Sequence, residues 1–457
     1  MAAPILRPET REESIIYYTI LWTWGFWALG ALYIVAPVVG WYLAFVALAR
    51  YVGVSSHPCD RPPSVPLGVV VWWVSMAAML FALVAAHINF ELGFGSLLKS
   101  SIGWAKGWAL MAVFPWIGAM LPIRAEIVYR ATNKLALQTL ALTPVFIGAA
   151  LAHLPHPLYT SPLQIVGGPG PEFFRVELYS IDETNGNLRW SFFAPWSPAA
   201  AFIANISFVF ALYDRSRFWK WVGVASCIVI SVLSQSRLAL VAIPGVVVLL
   251  TILCNLTRPL MLGAASLLST LGFLLATPIL SLVEDFSQKF TQARAASSRV
   301  RAILRSIALQ RWESEAPIFG HGVVERGPHL VEHMPIGSHH SWYGLLFVKG
   351  IVGFMALAIP LAWTMLELLA KAQADRVARC ALGVMIIITF YTFGENLEIL
   401  SYLFWPGLIV IGVAMRRRFF NPLRRRFNPP PADQAEGREF VEDLEHVPEK
   451  CEAVFRS

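Results

Sequence analysis

Apolar stretches long enough to cross a lipid bilayer follow one another along almost the whole of this chain, and that feature restricts the fold more than any other. They begin near Ile15, Val35, Val65, Trp104 and Leu135, then at Pro195, Phe218, Leu238 and Pro259, and finally at Ser341, Val377 and Leu397. Hydrocarbon offers no partner to a backbone N–H or C=O, so the pattern predicts an all-α, polytopic membrane protein with about 12 transmembrane helices. The stretch from Ile15 to Tyr51 also reads as a tight hairpin of shorter helices broken around Pro37. Composition agrees: 56% of residues are hydrophobic, 14% are charged, and the mean hydropathy of +0.59 lies beyond a soluble domain of this length. Seventeen Trp and twelve Tyr suit a chain with many headgroup-level belts.

Charge sets the expected orientation. The tail carries Arg416, Arg417, Arg418, Arg424, Arg425 and Arg426, which marks it as cytoplasmic, and an even number of spans brings the N-terminus to the same side. The short loops then predicted inside carry Arg50 and Arg61; Arg124, Arg130 and Lys134; Arg215, Arg217 and Lys220; Arg258; and Lys371, Arg376 and Arg379. The net charge of +7 is thus accounted for by topology and anionic membrane lipids, and no nucleic-acid partner is expected. MAAPILRPETREE has no short apolar core before a cleavage site, so the first helix is expected to be its own insertion signal.

The chain divides accordingly into a cytoplasmic N-terminus (1–14), a first transmembrane bundle (15–152), a periplasmic loop (153–194), a second bundle (195–283), a large periplasmic loop (284–340), the last three spans (341–415) and a basic, then disordered, cytoplasmic tail (416–457). The two long periplasmic loops, which contain short helices, have the room for a site. All five cysteines fall in spans or on the cytoplasmic side, so no external disulfide is expected.

The large loop predicts a helix over EDFSQKFTQARAASSRVRAILRSIALQRW, with Val300, Ile303, Leu304 and Ile307 as an apolar stripe lying against the membrane surface. Arg294, Arg301 and Arg305 share a face, and guanidinium forks on one face suit the oxygens of a diphosphate, or equally a solvated or headgroup-facing surface. Arg237 in SQSRL stands at an outer membrane boundary, positioned either to reach the same phosphates or to snorkel.

The loop ends in PIFGHGVVERGPHLVEHMPIGSHHSWYG, with His321, His329, His333, His339 and His340. A general base at His339 or His340 is the stronger chemical reading, beside an interfacial His satisfied by backbone and a metal site at His329 and His333 that the nearby Pro328 and glycines disfavour. Glu395 and Glu398 in GENLEIL read as an ion-coupling pair or as ordinary turn carboxylates. No outer Asp-x-Asp and no phosphate-cradling Gly-Lys-Ser/Thr loop occurs in the sequence, and ATP-driven transport is unsupported.

His339-His340-Ser341 followed by Gly350-Ile351-Val352-Gly353 resembles the signature of the O-antigen ligase and O-antigen polymerase superfamily of bacterial membrane glycosyltransferases. The family's His falls on His339, with His340 where a small polar residue is usual. PIFGHG resembles its Pro-x-x-Gly-x-Gly, SQSRLAL its Ser-x-Ser-Arg, and RWSFFAPWSPAAA its Arg-led, Pro-containing helix start at Arg189; Arg301 is the nearest match to its loop arginine.

The resemblance implies an inner-membrane, metal-independent glycosyltransferase without cofactor. Its donor would be an undecaprenyl-diphosphate-linked glycan and its acceptor a saccharide or lipid A-core hydroxyl. Arg237, Arg301, Arg305 and Arg189 would bind the diphosphate, and His339 or His340 would activate or position the acceptor. A polymerase of O-antigen, capsule or exopolysaccharide is the first expectation and an O-antigen ligase the second. A secondary transporter of a small anion or sugar is the alternative of another class, and a non-catalytic membrane scaffold a further one.

Overall fold

The computed structural model describes residues 6–53, 64–181, 186–259, 295–331, 333–337 and 340–417, with isolated positions between 261 and 281. Helices dominate it: α1 (Arg11–Leu21), α2 (Thr23–Ala28), α3 (Leu32–Tyr51), α4 (Leu67–Asn89), α5 (Phe94–Lys106), α6 (Leu110–Met120), α7 (Ala125–Leu151), α8 (Ser197–Tyr213), α9 (Arg217–Leu233) and α10 (Arg237–Leu253), then α11 (Ala295–Glu315), α12 (Ser341–Ala372), α13 (Arg376–Tyr391) and α14 (Leu397–Arg416). Between α7 and α8 lie two minimal antiparallel hairpins, β1 (Tyr159–Thr160) with β2 (Arg175–Val176), and β3 (Ser180–Ile181) with β4 (Leu188–Arg189).

Among the described residues five helices, α3, α4, α7, α12 and α14, are long and apolar enough to cross a membrane, and α8 and α10 are shorter apolar helices. The outer faces of the long helices expose Phe45, Val74, Phe81 and Leu366, each more than 60% accessible, which is how lipid-facing rather than water-facing helices are built. A helix overlaps eleven of the predicted spans; the stretch beginning at Pro259 lies largely outside the described residues.

Two predicted spans are each made of two short helices. In the first, the break falls at Trp22 and again at Gly30, which has φ +63°, whereas Pro37 sits inside α3. Gly30 is packed so closely that a Cβ there would stand 2.3 Å from the Cβ of Ser161. In the fourth, the chain turns at Gly107, whose Cβ would meet Glu398 of α14 at 2.7 Å, so α5 ends on the surface and α6 starts afresh with every residue buried.

The centre of the bundle is α14, with 83% of its apolar window buried against 39–56% for the other long helices. It crosses α6 at backbone contact: a Cβ on Gly118 would lie 2.1 Å from the Ile409 carbonyl oxygen, and one on Gly412 2.1 Å from that of Pro115. Small residues facing each other are how helices approach this closely where lipid rather than water is the competing solvent. The helices also carry ordinary end signals, with Thr10, Asp375 and Asn396 each accepting a hydrogen bond from the backbone two or three residues on.

Loops predicted to share a side do share an end of the bundle. At one end Arg124 pairs with Glu9 and Glu13, Arg130 with Asp214, and Arg417 with Asp375, while Arg376 donates to the Tyr213 carbonyl and Arg416 to those of Leu121 and Ile123. At the other end meet the hairpin segment, the α9–α10 turn, the segment after α11, the start of α12 and the α13–α14 turn.

Candidate functional site

The segment 316–322 and the first third of α12 are one structural unit. Gly350 breaks α12 with φ +60° and ψ −160°, and the backbone groups freed there find partners in PIFGHG: Ile351 N–H donates to the Pro317 carbonyl at 2.9 Å and Val352 N–H to that of Ile318 at 3.2 Å. In return His321 N–H donates to the Phe347 carbonyl and Gly322 N–H to that of Val348, both at 2.9 Å. The glycines are required by contact, since a Cβ on Gly350 would sit 2.2 Å from the Ile318 oxygen and one on Gly320 2.4 Å from Lys349 N. A helix kinked in this way keeps its backbone satisfied by an inserted segment rather than by water. The Pro-x-x-Gly-x-Gly and Gly-x-x-Gly patterns therefore meet as complementary halves of a backbone joint.

His321 belongs to that joint. It is 3% exposed, stacked between Phe90 and Phe347, with Nδ1 on the Phe347 carbonyl at 3.0 Å and Nε2 on Glu315 at 2.8 Å. Arg311 forks onto Glu315 and Glu325 and lies over the Phe347 ring. Hydrogen bonds from Arg311 and then His321 hold the Glu315 carboxyl down at about 2. All of these polar groups are occupied by one another. The apolar stripe of α11 also finds protein rather than lipid: Val300, Ile303, Leu304 and Ile307 pack with Tyr343, Phe347 and Val348 of α12 and with Val331 and Ile336. The cause is the kink, which presents an apolar face of α12 to the loop helix.

That packing fixes Arg301 and Arg305 on the exposed side of α11, near the start of α12, with the Arg305 guanidinium 5.9 Å from the Tyr343 ring centre. His340, the residue before α12, packs against Tyr343 with ring centres 4.2 Å apart and planes tilted by 50°, and meets Phe393 edge-on at 5.8 Å. Its Nδ1 is buried with no hydrogen-bond partner among the described residues. Burial, and then the charges of Arg305 and Arg301, push the imidazole down to about 4, so it is neutral at pH 7. A neutral imidazole carries one nitrogen able to accept a hydrogen bond, whereas both nitrogens of His321 are already engaged.

The second half of the site is the α13–α14 turn. Ser341 Oγ donates to the Glu395 carbonyl at 2.7 Å and accepts from Leu397 N–H at 3.1 Å, and Ser341 N–H donates to the Thr392 carbonyl. Trp196, just before α8, donates from Nε1 to the Glu395 carboxylate at 2.9 Å. Gly394 faces Leu238 at the start of α10, so Arg237, half-buried, opens the helix beside this turn. Arg189 on β4 reaches the α9–α10 turn, its guanidinium 3.3 Å from the Ser234 carbonyl, and Gln235 Nε2 donates to the Leu188 carbonyl at 3.0 Å. Gln235 and Phe192 both hold left-handed backbone, φ 53°, without being glycine, in the two facing motifs SQSR and RWSFF. Such strain is retained where surrounding structure fixes it, often at functional sites.

Glu395 is the residue that sequence reasoning undervalued. It is 5% exposed, and burial lifts its carboxyl to about 7, against the Trp196 hydrogen bond and the charges of Arg301 and Arg189, which pull the other way. Arg189, Arg301, Arg305 and His340 thus converge on one end of the bundle, with Arg237 at its edge and a carboxylate in its floor. His339 and Arg294 lie outside the described residues. His329 and His333 have their rings 5.6 Å apart, but among the described residues no group of three His, Cys, Asp or Glu side chains is arranged to hold a metal ion. Neither protein-family models nor curated proteins give a match to this chain.

Proposed function

We propose that this protein is a bacterial inner-membrane glycosyltransferase that takes a glycan from an undecaprenyl diphosphate carrier and passes it to a hydroxyl acceptor at the periplasmic face. In this reading about 12 helices span the membrane, both termini are cytoplasmic, and the product is a polymer of O-antigen, capsule or exopolysaccharide type. The observation that carries it is the meeting of Arg189, Arg301 and Arg305 with the neutral imidazole of His340 at one end of the bundle, drawn from segments far apart in sequence.

A diphosphate leaving group needs fixed positive charge as the sugar–oxygen bond breaks, and arginine forks supply it without reorganisation. A hydroxyl acceptor needs a hydrogen-bond acceptor aimed at its proton, the task assigned to His340 with His339 beside it in sequence. The resemblance of the HHS and Gly-x-x-Gly region to the O-antigen ligase and polymerase superfamily supports the same chemistry, and transfer to lipid A-core is its second form.

The test is the glycan profile of a deletion strain complemented with wild type, His339→Ala, His340→Ala, Arg237→Ala or Arg301→Ala, with membrane abundance checked by immunoblot. Loss of long polysaccharide with single repeat units still transferred identifies a polymerase. Polymer stranded on its lipid carrier identifies a ligase. Wild-type profiles from all four well-expressed variants would end the proposal.

A further inference from the structure

Glu395 has no role in the chemistry above, yet a carboxylate buried under two arginines in the floor of a site for an anion poses an electrostatic problem. Without ligand, Arg189 and Arg301 act on Glu395, and Trp196 holds one of its oxygens at 2.9 Å. Tyr391 at the end of α13 also acts on it, Ser341 at the start of α12 binds its backbone carbonyl, and Arg237 opens α10 beside the same turn. A diphosphate on Arg189 and Arg301 adds negative charge beside Glu395 and removes the positive charge that offset its burial. Two anions in one low-dielectric site repel strongly, and the cheaper state is the one in which the carboxylate is protonated.

We infer that binding of the donor's diphosphate at Arg189 and Arg301 is coupled to uptake of one proton by Glu395, making Glu395 an exchangeable counter-ion of the diphosphate subsite. This rests on the diphosphate reading of the arginines. The proton comes from solvent and forms the carboxyl O–H; no other bond changes. In the empty site the charges of Arg189 and Arg301 favour the ionised Glu395 carboxylate. In the loaded site it is neutral and no longer competes for them. When the free diphosphate departs after transfer, the arginine charges act on the carboxylate again and the proton returns to solvent. Glu395 is thus a positioning residue that acts through Arg189 and Arg301.

Glu395 titrates at about 7 in the empty protein and higher in the loaded one. Between those two values each unit of falling pH tightens binding about tenfold, and outside the window this group contributes no slope. The slope is best read above about pH 7, where an isoprenyl diphosphate is itself close to fully ionised.

The experiment is calorimetric titration of the full chain in lipid nanodiscs with undecaprenyl diphosphate, in two buffers of different ionisation enthalpy. Above about pH 7 and inside that window, wild type is expected to take up close to one proton per diphosphate bound. Glu395→Gln, which keeps the volume and an oxygen for Trp196, is expected to bind with uptake near zero and little pH slope. Trp196→Phe removes the bond that stabilises the carboxylate, and is expected to move the titration window upward.

Binding to wild type without proton uptake, or uptake that survives in Glu395→Gln and disappears in His340→Gln, overturns the inference and leaves the donor reading intact. No binding of the diphosphate at all removes both. Should Glu395→Gln not fold, the uptake in wild type and the shift in Trp196→Phe decide the matter between them.

Discussion

The two ends of the helix bundle both concentrate charge, and they use it in opposite ways. At the basic end each named cation meets a carboxylate or a helix-terminal carbonyl: Arg130 forks onto Asp214 at 2.9 and 3.1 Å while Asn133 and the Ser216 N–H fill the remaining positions, and Lys371 donates to the Met415 carbonyl. These contacts tie the α8–α9 turn to α7 and the end of α14 to α12. At the other end Arg301 and Arg305 stay exposed on α11, His340 Nδ1 has no hydrogen-bond partner among the described residues, and Glu395 is buried with its charge held at a cost. Satisfied charge locks helices; charge held short of satisfaction is available to a ligand.

Mutation should separate these uses cleanly. The largest effect is expected at the basic end, where Asp214→Ala leaves the buried Arg130 without its partner and costs about 3–5 kcal/mol, read as lost membrane abundance and a lowered unfolding midpoint. Transfer activity per folded molecule should be unchanged. Arg301→Ala should do the reverse, lowering turnover on the order of 100-fold or more by removing charge stabilisation from the leaving group, with an unaltered unfolding midpoint. If Arg301→Ala lowers stability and activity in parallel, the division between the ends is wrong.

Gly350→Ala tests the joint that presents the site. Its added methyl meets the Ile318 carbonyl at 2.2 Å and disfavours φ +60°, so a loss of about 2 kcal/mol or more is expected, together with faster proteolysis in the segment 316–322. Smallest of all, Arg417→Ala breaks a partly exposed pair with Asp375 and should change stability by no more than about 1 kcal/mol.

How much of this is legible in sequence differs between elements for physical reasons. Apolar runs read through because lipid imposes one solution on each of them. The α11 stripe was visible from its spacing, but its partner was not, because the Gly350 kink that turns α12 towards it is stabilised by carbonyls some thirty residues earlier. The break at Gly107 hides in an apolar run, and only the approach of Glu398 on α14 demands it. Glu395 looks like any turn carboxylate until Trp196, 199 residues earlier in the chain, closes over it. The motif arginines were readable by type and placement; their counter-ion depended on tertiary folding. Seventeen tryptophans suggest membrane belts, and nothing local distinguishes the one that holds the site carboxylate.

In the proposed function these arginines serve a diphosphate leaving group during glycan transfer. That role is tested most directly with purified protein in nanodiscs given polyprenyl-diphosphate-linked oligosaccharide extracted from the source cells, following glycosidic bond formation and free polyprenyl diphosphate together. Equal amounts of both products are expected, undiminished by a metal chelator and lowered on the order of 100-fold or more in Arg301→Ala. Intact lipid-linked donor after incubation with well-folded wild type and acceptor would contradict it.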